Sequence, residues 1–271
     1  KSSRVIFMHE LKNYIPILTP KRGELGAIKE LKEKELSKFT PLFDIHQMSI
    51  KGGKYDKSLD QHLHAIINAL DKQWPKEKLF ILDYSQINLD LRMEENIHPF
   101  KFLCDSLKEK QLIFSPTIGL DRDEAYLNAL TDFINENPDY IITIRLLEDD
   151  VENPRETKDA IHKITSCLHI EIAKCNLIID FKGIENKDID SLIDLLSEFN
   201  LILPFQAWLS FTLAASGFPS DLSKISRDSN QSIQRKELNL WRAAIDGHAL
   251  IGRKPNFGDY IISPPDRANV D

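Results

Sequence analysis

The hydrophobic residues fall into short, nearly continuous runs, separated by segments with helical spacing. The runs lack the polar–apolar alternation of a half-exposed sheet, so they are typical of strands covered on both faces. Helical spacing is clearest where apolar residues recur at three- and four-residue intervals, at Leu59, Leu63, Ile66, Ile67 and Leu70. The predicted strands are 14–18, 40–44, 79–83, 111–115, 140–145, 176–180 and 207–213, with an eighth at 250–252 or 260–262. The predicted helices are 24–36, 59–74, 99–110, 123–135, 154–166, 188–199 and 235–245.

Strands that alternate with helices predict right-handed βαβ units and a parallel sheet. Seven or eight such units favour an α/β fold of the (β/α)8 TIM-like barrel type over an open doubly wound sheet. The 271 residues fit one such barrel, which takes about 250 residues. We predict a single barrel domain over residues 14–271, after a leader or linker over residues 1–13. The GxGxxG and GxxxxGK[ST] nucleotide fingerprints are both absent from the sequence.

Composition narrows the classes of partner. The net charge of −7 disfavours a general nucleic-acid-binding surface, which is normally basic. No apolar run reaches the length needed to span a bilayer, which takes roughly 18 residues. Three cysteines without CxxC spacing fit a reducing, cytoplasmic compartment, and Cys167, His169 and Cys175 match no zinc motif. The sequence leaves the oligomeric state undetermined.

Charged residues follow several of the predicted strands. Three strands end in aspartate, at Asp44, Asp83 and Asp180, and the fifth carries Arg145 on the same face as Thr143. Parallel strands of a barrel all end at one rim, where barrel enzymes place their active sites. We therefore predict that these four charged side chains converge at one mouth, with the aspartates as candidate catalytic residues.

This mouth has several interpretations. Asp44 and Asp83 could act as an acid/base pair or bind a hard cation such as Mg²⁺, although no DxD or HExxH motif accompanies them and no metal site is predicted. Arg145 and Asp180 could form an ion pair that fixes a ligand-binding guanidinium. His46 is a further candidate base. The alternative is that the aspartates cap turns and helices.

Two loops carry candidate ligand-binding residues. After the first strand come Lys21, Arg22 and Glu24, whose cations could hold an anion or simply form a solvated face. After the seventh strand, Ser216 and Gly217 allow close backbone approach, and residues 219–221 resemble the start of a short helix whose N–H groups would favour an anion. The alternative for this second loop is a tight turn and a helix cap.

Four segments resemble the Beta protein family of phages and bacterial genomes. They are Tyr14–Glu24 with Ala27 and Leu31, Ser216–Leu222, Arg235–Trp241, and Asn256–Tyr260 before Pro264. The Phe-Gly-Asp-Tyr segment is the most specific, and the order and spacing agree along nearly the whole chain. The resemblance implies a setting of phage conflict or defence and no particular reaction.

The resemblance also implies a site. The matched positions are Lys21, Glu24, Ser216, Gly217, Arg235, Glu237, Asp259 and Tyr260, a mixed set that could hold a phosphorylated ligand while a carboxylate such as Asp259 moves a proton. Gly258 is expected to form a turn that aims Asp259 at the mouth. Alternatively, Arg235 and Glu237 do not face each other, being two residues apart on a helix. Family members continue past this C-terminus, which predicts an incomplete or irregular barrel at that end.

Three functions follow from these patterns. The first is a barrel that binds, or also processes, an anionic small molecule that is phosphorylated or nucleotide-derived. The second is a non-enzymatic module that recognises a phage or defence protein, with an apolar outer patch and a mouth filled by side chains. The third is a metal-dependent nuclease or phosphodiesterase. Arg22 and Gly23 faintly resemble the Arg-Gly of glycerophosphodiesterases, but the preceding histidine is absent.

Overall fold

A computed structural model describes residues 10–219, 221, 232–247 and 251–265. In this part of the chain, eight parallel strands close into a barrel in the order β1-β10-β9-β8-β7-β6-β5-β2. They are β1 Tyr14–Leu18, β2 Leu42–Asp44, β5 Leu79–Asp83, β6 Ile113–Ile118, β7 Ile142–Leu147, β8 Cys175–Gly183, β9 Ser210–Ser216 and β10 Asn256–Asp259. A small hairpin of β3 Ile50–Lys51 and β4 Lys54–Tyr55 follows β2. The fold is therefore the predicted (β/α)8 barrel.

Helices between the strands form the outer layer. Their bounds are α1 Arg22–Lys29, α2 Glu33–Leu36, α3 Leu59–Gln73, α4 Pro99–Glu109, α5 Glu124–Glu136, α6 Glu148–Glu152, α7 Pro154–Cys167, α8 Ile189–Ile202 and α9 Lys236–Asp246. The Ser58 side chain accepts a hydrogen bond from the Gln61 amide and caps α3, whose predicted apolar stripe is buried. No helix in the described ranges is long and apolar enough to cross a bilayer.

The barrel closes regularly at its C-terminal end, so the predicted irregular closure was wrong. The closing strand β10 pairs with β9 on one side and with β1 on the other. Residue 250 lies outside the described ranges, but residues 251–252 and 260–262 are not in a strand, so both predicted positions for the eighth strand were also wrong. The β10 sequence, Asn-Phe-Gly-Asp, is short and half polar, so it lacks the β-branched run by which a strand is recognised in sequence.

Several other element boundaries differ from the sequence prediction, among them those of β6, β7 and α8. The seventh barrel strand, β9, begins at Ser210 rather than at residue 207, because residues 205–207 form a 3-10 helix. The predicted helix 24–36 is divided into α1 and α2. The predicted short helix at 219–221 falls partly on residues outside the described ranges, as do residues 1–9 of the predicted leader.

Alternate side chains of each strand point into the barrel. The inner apolar layer is formed by Ile15, Ile17, Leu42, Ile81, Ile178 and Ala214, with Tyr260. Below it, the Ser115 and Thr143 hydroxyls are 2.8 Å apart, and Ser210 Oγ donates to Asn176 Oδ1 at 2.7 Å. Because inward and outward side chains alternate along each strand, the charged residues at the strand ends also point into the barrel, on the side of the mouth.

Gly258 lies inside β10, so the predicted turn at this residue was wrong. A Cβ at Gly258 would lie 2.8 Å from Ala214 Cβ and 3.1 Å from Ala214 Cα on the paired strand β9. Because real Cβ atoms do not approach so closely, glycine is required for the two strands to pack.

We expect Gly258→Ala to lower the free energy of unfolding by about 1–3 kcal/mol, since inserting a methyl group into a packed interior forces the strands apart. Urea unfolding measures the change. The double variant Gly258→Ala/Ala214→Gly should recover part of the loss, because it removes the opposing Cβ. A neutral Gly258→Ala variant would contradict the close approach.

Candidate functional site in the mouth of the barrel

Arg145 is the centre of a buried charge cluster at the mouth. Its side chain is 4% exposed. Nε and Nη2 donate to Asp180 Oδ2 at 3.1 and 2.6 Å. Nη1 donates to Asp44 Oδ2 at 3.1 Å and to Asp83 Oδ2 at 2.5 Å, and Nη2 also donates to the Tyr260 hydroxyl at 2.9 Å. These contacts account for all five N–H donors of a guanidinium. We call these five residues the Arg145 cluster.

The carboxylates of this cluster have further partners. Arg122 Nη2 donates to Asp83 Oδ1 at 3.0 Å. Ser85 Oγ donates to Asp44 at 2.8 Å. The Tyr260 hydroxyl donates to Asp180 Oδ2 at 2.5 Å. Including Arg122, three acidic and two basic side chains share a buried volume, and each of the three carboxylates accepts hydrogen bonds from more than one residue.

The environments of Asp44 and Asp83 push their pKa values in opposite directions. Burial raises the pKa of Asp44, and Arg145 offsets this only in part because the negative charge of Asp83 adds to the rise. Burial also acts to raise the pKa of Asp83, but the guanidinium groups of Arg122 and Arg145 outweigh it and lower the pKa. Asp44 is therefore the carboxyl that more readily carries a proton, while Asp83 stays ionised. Such divergence is a pattern of acid/base pairs.

A cavity of about 270 Å³ opens above the cluster, and we call it the mouth cavity. Its described walls are Asp44, Gln47, Ser85, Gln86, Asp121, Arg122, Arg145, Leu147, Lys182, Tyr260 and Pro265. Three of these residues are cationic and two are acidic. Around the rim, Gln47, Ser85, Gln86 and Asp121 follow β2, β5 and β6, whereas Lys182 belongs to β8 on the other side of β7.

The backbone is strained at two points beside the cluster. Lys182 has φ +50°, and its N–H donates to Asp180 Oδ1 at 2.9 Å, next to a register shift between Asp180 and Gly183. Ile261, directly after Tyr260, has φ +59°. Positive φ is uncommon for residues other than glycine and an outlier for a β-branched one. Such strain and such bulges concentrate at functional sites, where they re-aim side chains.

Asp259 lies outside the Arg145 cluster, in a second group that we call the Asp259 cluster. Its Oδ1 accepts from the Tyr14 hydroxyl at 2.9 Å, and its Oδ2 accepts from Arg235 Nη2 at 2.6 Å. Arg235 Nε also donates to Glu237 at 2.6 Å, and Glu237 accepts from the Gly217 amide at 2.8 Å. Strand parity explains the separation, because Asp259 faces the helices while Gly258 and Tyr260 face the barrel interior.

The contact between Arg235 and Glu237 shows that the alternative of two residues facing apart was wrong. Arg235 is the residue before the first turn of α9 and has φ −80° and ψ 76°, so it does not follow helical geometry. Its side chain can therefore fold back onto a residue two positions later. The side chain of Arg235 is 53% exposed, whereas Asp259 and Glu237 are buried.

The other predicted site residues are not on the described walls of the mouth cavity. Lys21 and Arg22 are exposed at the start of α1, and Glu24 lies within that helix. Ser216 Oγ accepts from the Phe218 amide at 3.1 Å in the turn after β9. The His46 carbonyl contacts His62 Nε2 at 2.7 Å, and the two imidazole rings pack edge to face.

Sequence reasoning missed several residues that form the mouth. Ser85, Gln86 and Arg122 follow strands by two to four residues, and Lys182 lies near the end of β8, all in segments without a motif. Arg122 and Lys182 could have been found by searching for cations near the end of a strand. Lys182 lies on the strand that carries Asp180, and Arg122 follows β6, the neighbour of the strand that carries Asp83. In the described ranges, no group of three His, Cys, Asp or Glu residues is arranged to hold a metal ion.

Several solved structures of low sequence identity align with this chain over most of its length. A thermostable xylanase mutant from Cellvibrio japonicus is 6% identical, with a TM-score of 0.43 over 92% of this chain and 85% of that chain. An endo-1,4-beta-xylanase from Caldicellulosiruptor owensensis is 10% identical, with a TM-score of 0.41 over 92% and 84%. SacUVDE is 11% identical, with a TM-score of 0.39 over 96% of each chain. Such low identities carry no argument about chemistry.

A search of curated proteins found no match. A family model described as "Beta protein" matches residues 14–270, which is nearly the whole chain. The match includes every strand of the barrel and both clusters described above. The chain therefore belongs to the Beta protein family.

Proposed function

We propose that the protein binds a small anionic molecule, in the first place a phosphorylated one, in the mouth cavity. The observation that carries the proposal is the meeting of Arg122, Arg145 and Lys182 on the walls of one cavity at the carboxyl ends of the strands. Barrel proteins use this end for ligands, and a cleft lined by cations attracts anions.

The three cations have different parts in this proposal. Arg145 has its five donors engaged by protein groups, so it positions the carboxylates and contributes positive potential from below. Arg122 holds Asp83 and Asp121, and its buried Nε has no hydrogen-bond partner among the described residues. Lys182 lies on β8, separated from Arg122 by β7, on a strained backbone. Lys182 is therefore the proposed direct contact of the anion, and Arg122 adds positive potential at the cavity wall.

Asp44 is the proposed proton-transfer group if the ligand is also processed. It lines the cavity, its pKa is raised, and Ser85 and Arg145 fix its orientation. Asp83 and Asp180 are proposed to support it, since their oxygens are taken up by Arg122, Arg145, Tyr260 and backbone amides. A role for Asp259 would run through its cluster at the outer side of β10 rather than through the mouth cavity.

Inorganic phosphate is a direct probe of the anion site. We expect phosphate to raise the Tm of the wild-type protein above that in NaCl of equal ionic strength, because it binds the folded state only. Lys182→Ala should weaken phosphate binding by about ten-fold or more, since a hydrogen bond to a charged group contributes about 1.5–3 kcal/mol and each 1.4 kcal/mol is a factor of ten in affinity. Calorimetric titration measures the affinity.

Lys174→Ala is the matched control. Lys174 is exposed just before β8, at the opposite end of the strand that carries Lys182. The Lys174→Ala variant should bind phosphate with the same affinity as the wild type. The proposal fails if phosphate gives no shift beyond NaCl, or if both lysine variants bind it equally well.

The phage or defence setting is proposed from the family resemblance alone. Equal plating of phages on host cells with and without the gene would count against it.

Of the two other functions, recognition of a partner protein predicts a mouth filled by side chains. The open mouth cavity therefore supports the ligand proposal in preference to it. The metal-dependent alternative would need Asp44 and Asp83 to exchange their arginine partners for a cation.

A further inference from the structure

We infer that the ligand of the mouth cavity is a small polyol that carries one anionic group, such as a sugar phosphate or a sugar acid, and not a nucleotide. The inference rests on the proposed anion site and adds the chemistry of the remainder of the ligand. Three properties of the cavity support it: its size, the hydrogen-bonding groups of its wall, and the scarcity of surfaces on which a base could stack.

Size limits the ligand first. The cavity measures about 270 Å³, just below the range of about 300–1,000 Å³ that is usual for drug-sized ligands. A single sugar ring with one phosphate or carboxylate is in keeping with this volume. A dinucleotide or a longer chain would extend far into the solvent and would lose most of the burial that supports affinity.

The wall opposite Lys182 carries groups that suit hydroxyls. Ser85 and Gln86 follow β5, Gln47 follows β2, and Asp121 follows β6. Amides and hydroxyls both donate and accept, as the hydroxyls of a polyol do, and a carboxylate accepts from them. The Gln86 amide makes no hydrogen bond to another described residue, and the Asp121 side chain is 49% exposed. These two groups can therefore bind hydroxyls without breaking internal contacts other than the Asp121–Arg122 pair.

The distribution around the rim gives the ligand a direction. Hydroxyl-binding groups lie on the β2, β5 and β6 side, and Lys182 lies on the β8 side beyond β7. An anionic group near Lys182 would place the rest of a short ligand against Gln86 and Asp121. Asp121 would also repel a second anionic group on that side, which favours a single charge at one end.

A nucleobase finds little support in this cavity. Among the described wall residues, Tyr260 is the one aromatic residue. It is buried, and its hydroxyl is hydrogen-bonded to Arg145 and Asp180. The Arg122 guanidinium lies over the Tyr126 ring, 5.5 Å from its centroid, so one of its faces is already occupied. Bases are normally bound by stacking on aromatic or guanidinium planes.

Calorimetric titration of the full chain with five probes tests the inference. The probes are glucose 6-phosphate, glucuronate, glucose, inorganic phosphate and AMP. We expect glucose 6-phosphate or glucuronate to bind at least about ten-fold more tightly than both inorganic phosphate and glucose, which corresponds to about 1.4 kcal/mol from the joined parts. The stronger of the two identifies the anionic group as phosphate or carboxylate.

Two variants separate the parts of the ligand. Gln86→Ala should remove much of the gain of the sugar derivative over its bare anion and leave phosphate binding unchanged, whereas Lys182→Ala should weaken every anion. Gln73→Ala, at the far end of α3, is the matched control and should bind like the wild type.

The failures are distinguishable. If inorganic phosphate or AMP binds as tightly as the sugar derivatives, the polyol inference is overturned while the anion site stands. If no anion binds, the proposed function itself is overturned, and the inference falls with it.

Discussion

Replacing Arg145 with alanine is expected to lower the free energy of unfolding by about 3–5 kcal/mol at pH 7, because it leaves buried carboxylates without their shared partner. The guanidinium contacts Asp44, Asp83 and Asp180, all of which are 2% exposed or less. In the variant, Arg122 still neutralises Asp83, but Asp44 and Asp180 lose their cation. Urea unfolding gives the free energy, and the midpoint should fall without a large change in slope.

The loss of unfolding free energy in Arg145→Ala should depend on pH. Without Arg145, the burial that raises the pKa of Asp44 is no longer offset by this cation, so Asp44 in the folded variant takes up a proton as the pH falls from 7 towards the ordinary carboxyl pKa of about 4. A raised folded-state pKa means that stability is fully present at low pH and is lost as the pH rises. The difference between wild type and variant should therefore narrow in acid.

Arg155→Ala is the control for this variant. Arg155 is exposed on α7, so its replacement should change the free energy of unfolding by no more than about 0.5 kcal/mol at either pH. A loss below about 1 kcal/mol for Arg145→Ala, or a loss that stays constant between neutral and acid pH, would mean that the charge cluster does not hold the mouth together in the way described.

Asp83→Asn is expected to cost about 3 kcal/mol or more at pH 7, and Asp44→Asn about 1 kcal/mol, although the two side chains are neighbours in register. Asp83 is the ionised partner of two guanidinium groups, and its amide would leave both short of negative charge. Asp44 has a raised pKa, so a neutral amide resembles the form that its surroundings favour.

The pH dependence has opposite signs at the two positions. The pKa of Asp83 is lowered in the fold, so its contribution to stability is present above the ordinary carboxyl pKa of about 4 and is lost as the pH falls below it. The pKa of Asp44 is raised, so its contribution is present in acid and is lost as the pH rises. Urea unfolding of both variants at neutral and acid pH measures this, and an Asp44→Asn variant as costly as Asp83→Asn at pH 7 would contradict the assignment.

The core of the candidate site could be predicted from the strand ends. Parallel strands of a barrel end at one rim, so Asp44, Asp83, Asp180 and Arg145 had to meet if the strands were recognised. Tyr260 entered through the family resemblance. The remaining wall residues could not be predicted in this way, because their positions depend on loop backbone such as the left-handed conformation of Lys182.

Asp259 and Gly258 show why a motif does not give the direction of a side chain. Side chains alternate along a strand, so a shift of one residue in the strand boundary moves a residue from the barrel interior to the helix layer. Because Gly258 is the interior residue, the neighbouring Asp259 is turned towards Tyr14 and Arg235. The motif thus contributes to two different clusters, with Asp259 in one and Tyr260 in the other.

The order of apolar runs and helical stripes by itself determined the class of fold, because burial on both faces leaves a pattern that is local in the chain. It also determined which charged residues stand where strands end. Only the tertiary structure decided that one guanidinium contacts three carboxylates, that β10 closes the barrel beside β1, and that Gln86 and Lys182 line the same cavity. These are contacts between residues far apart in sequence, and their energies depend on distance and burial that no local pattern contains.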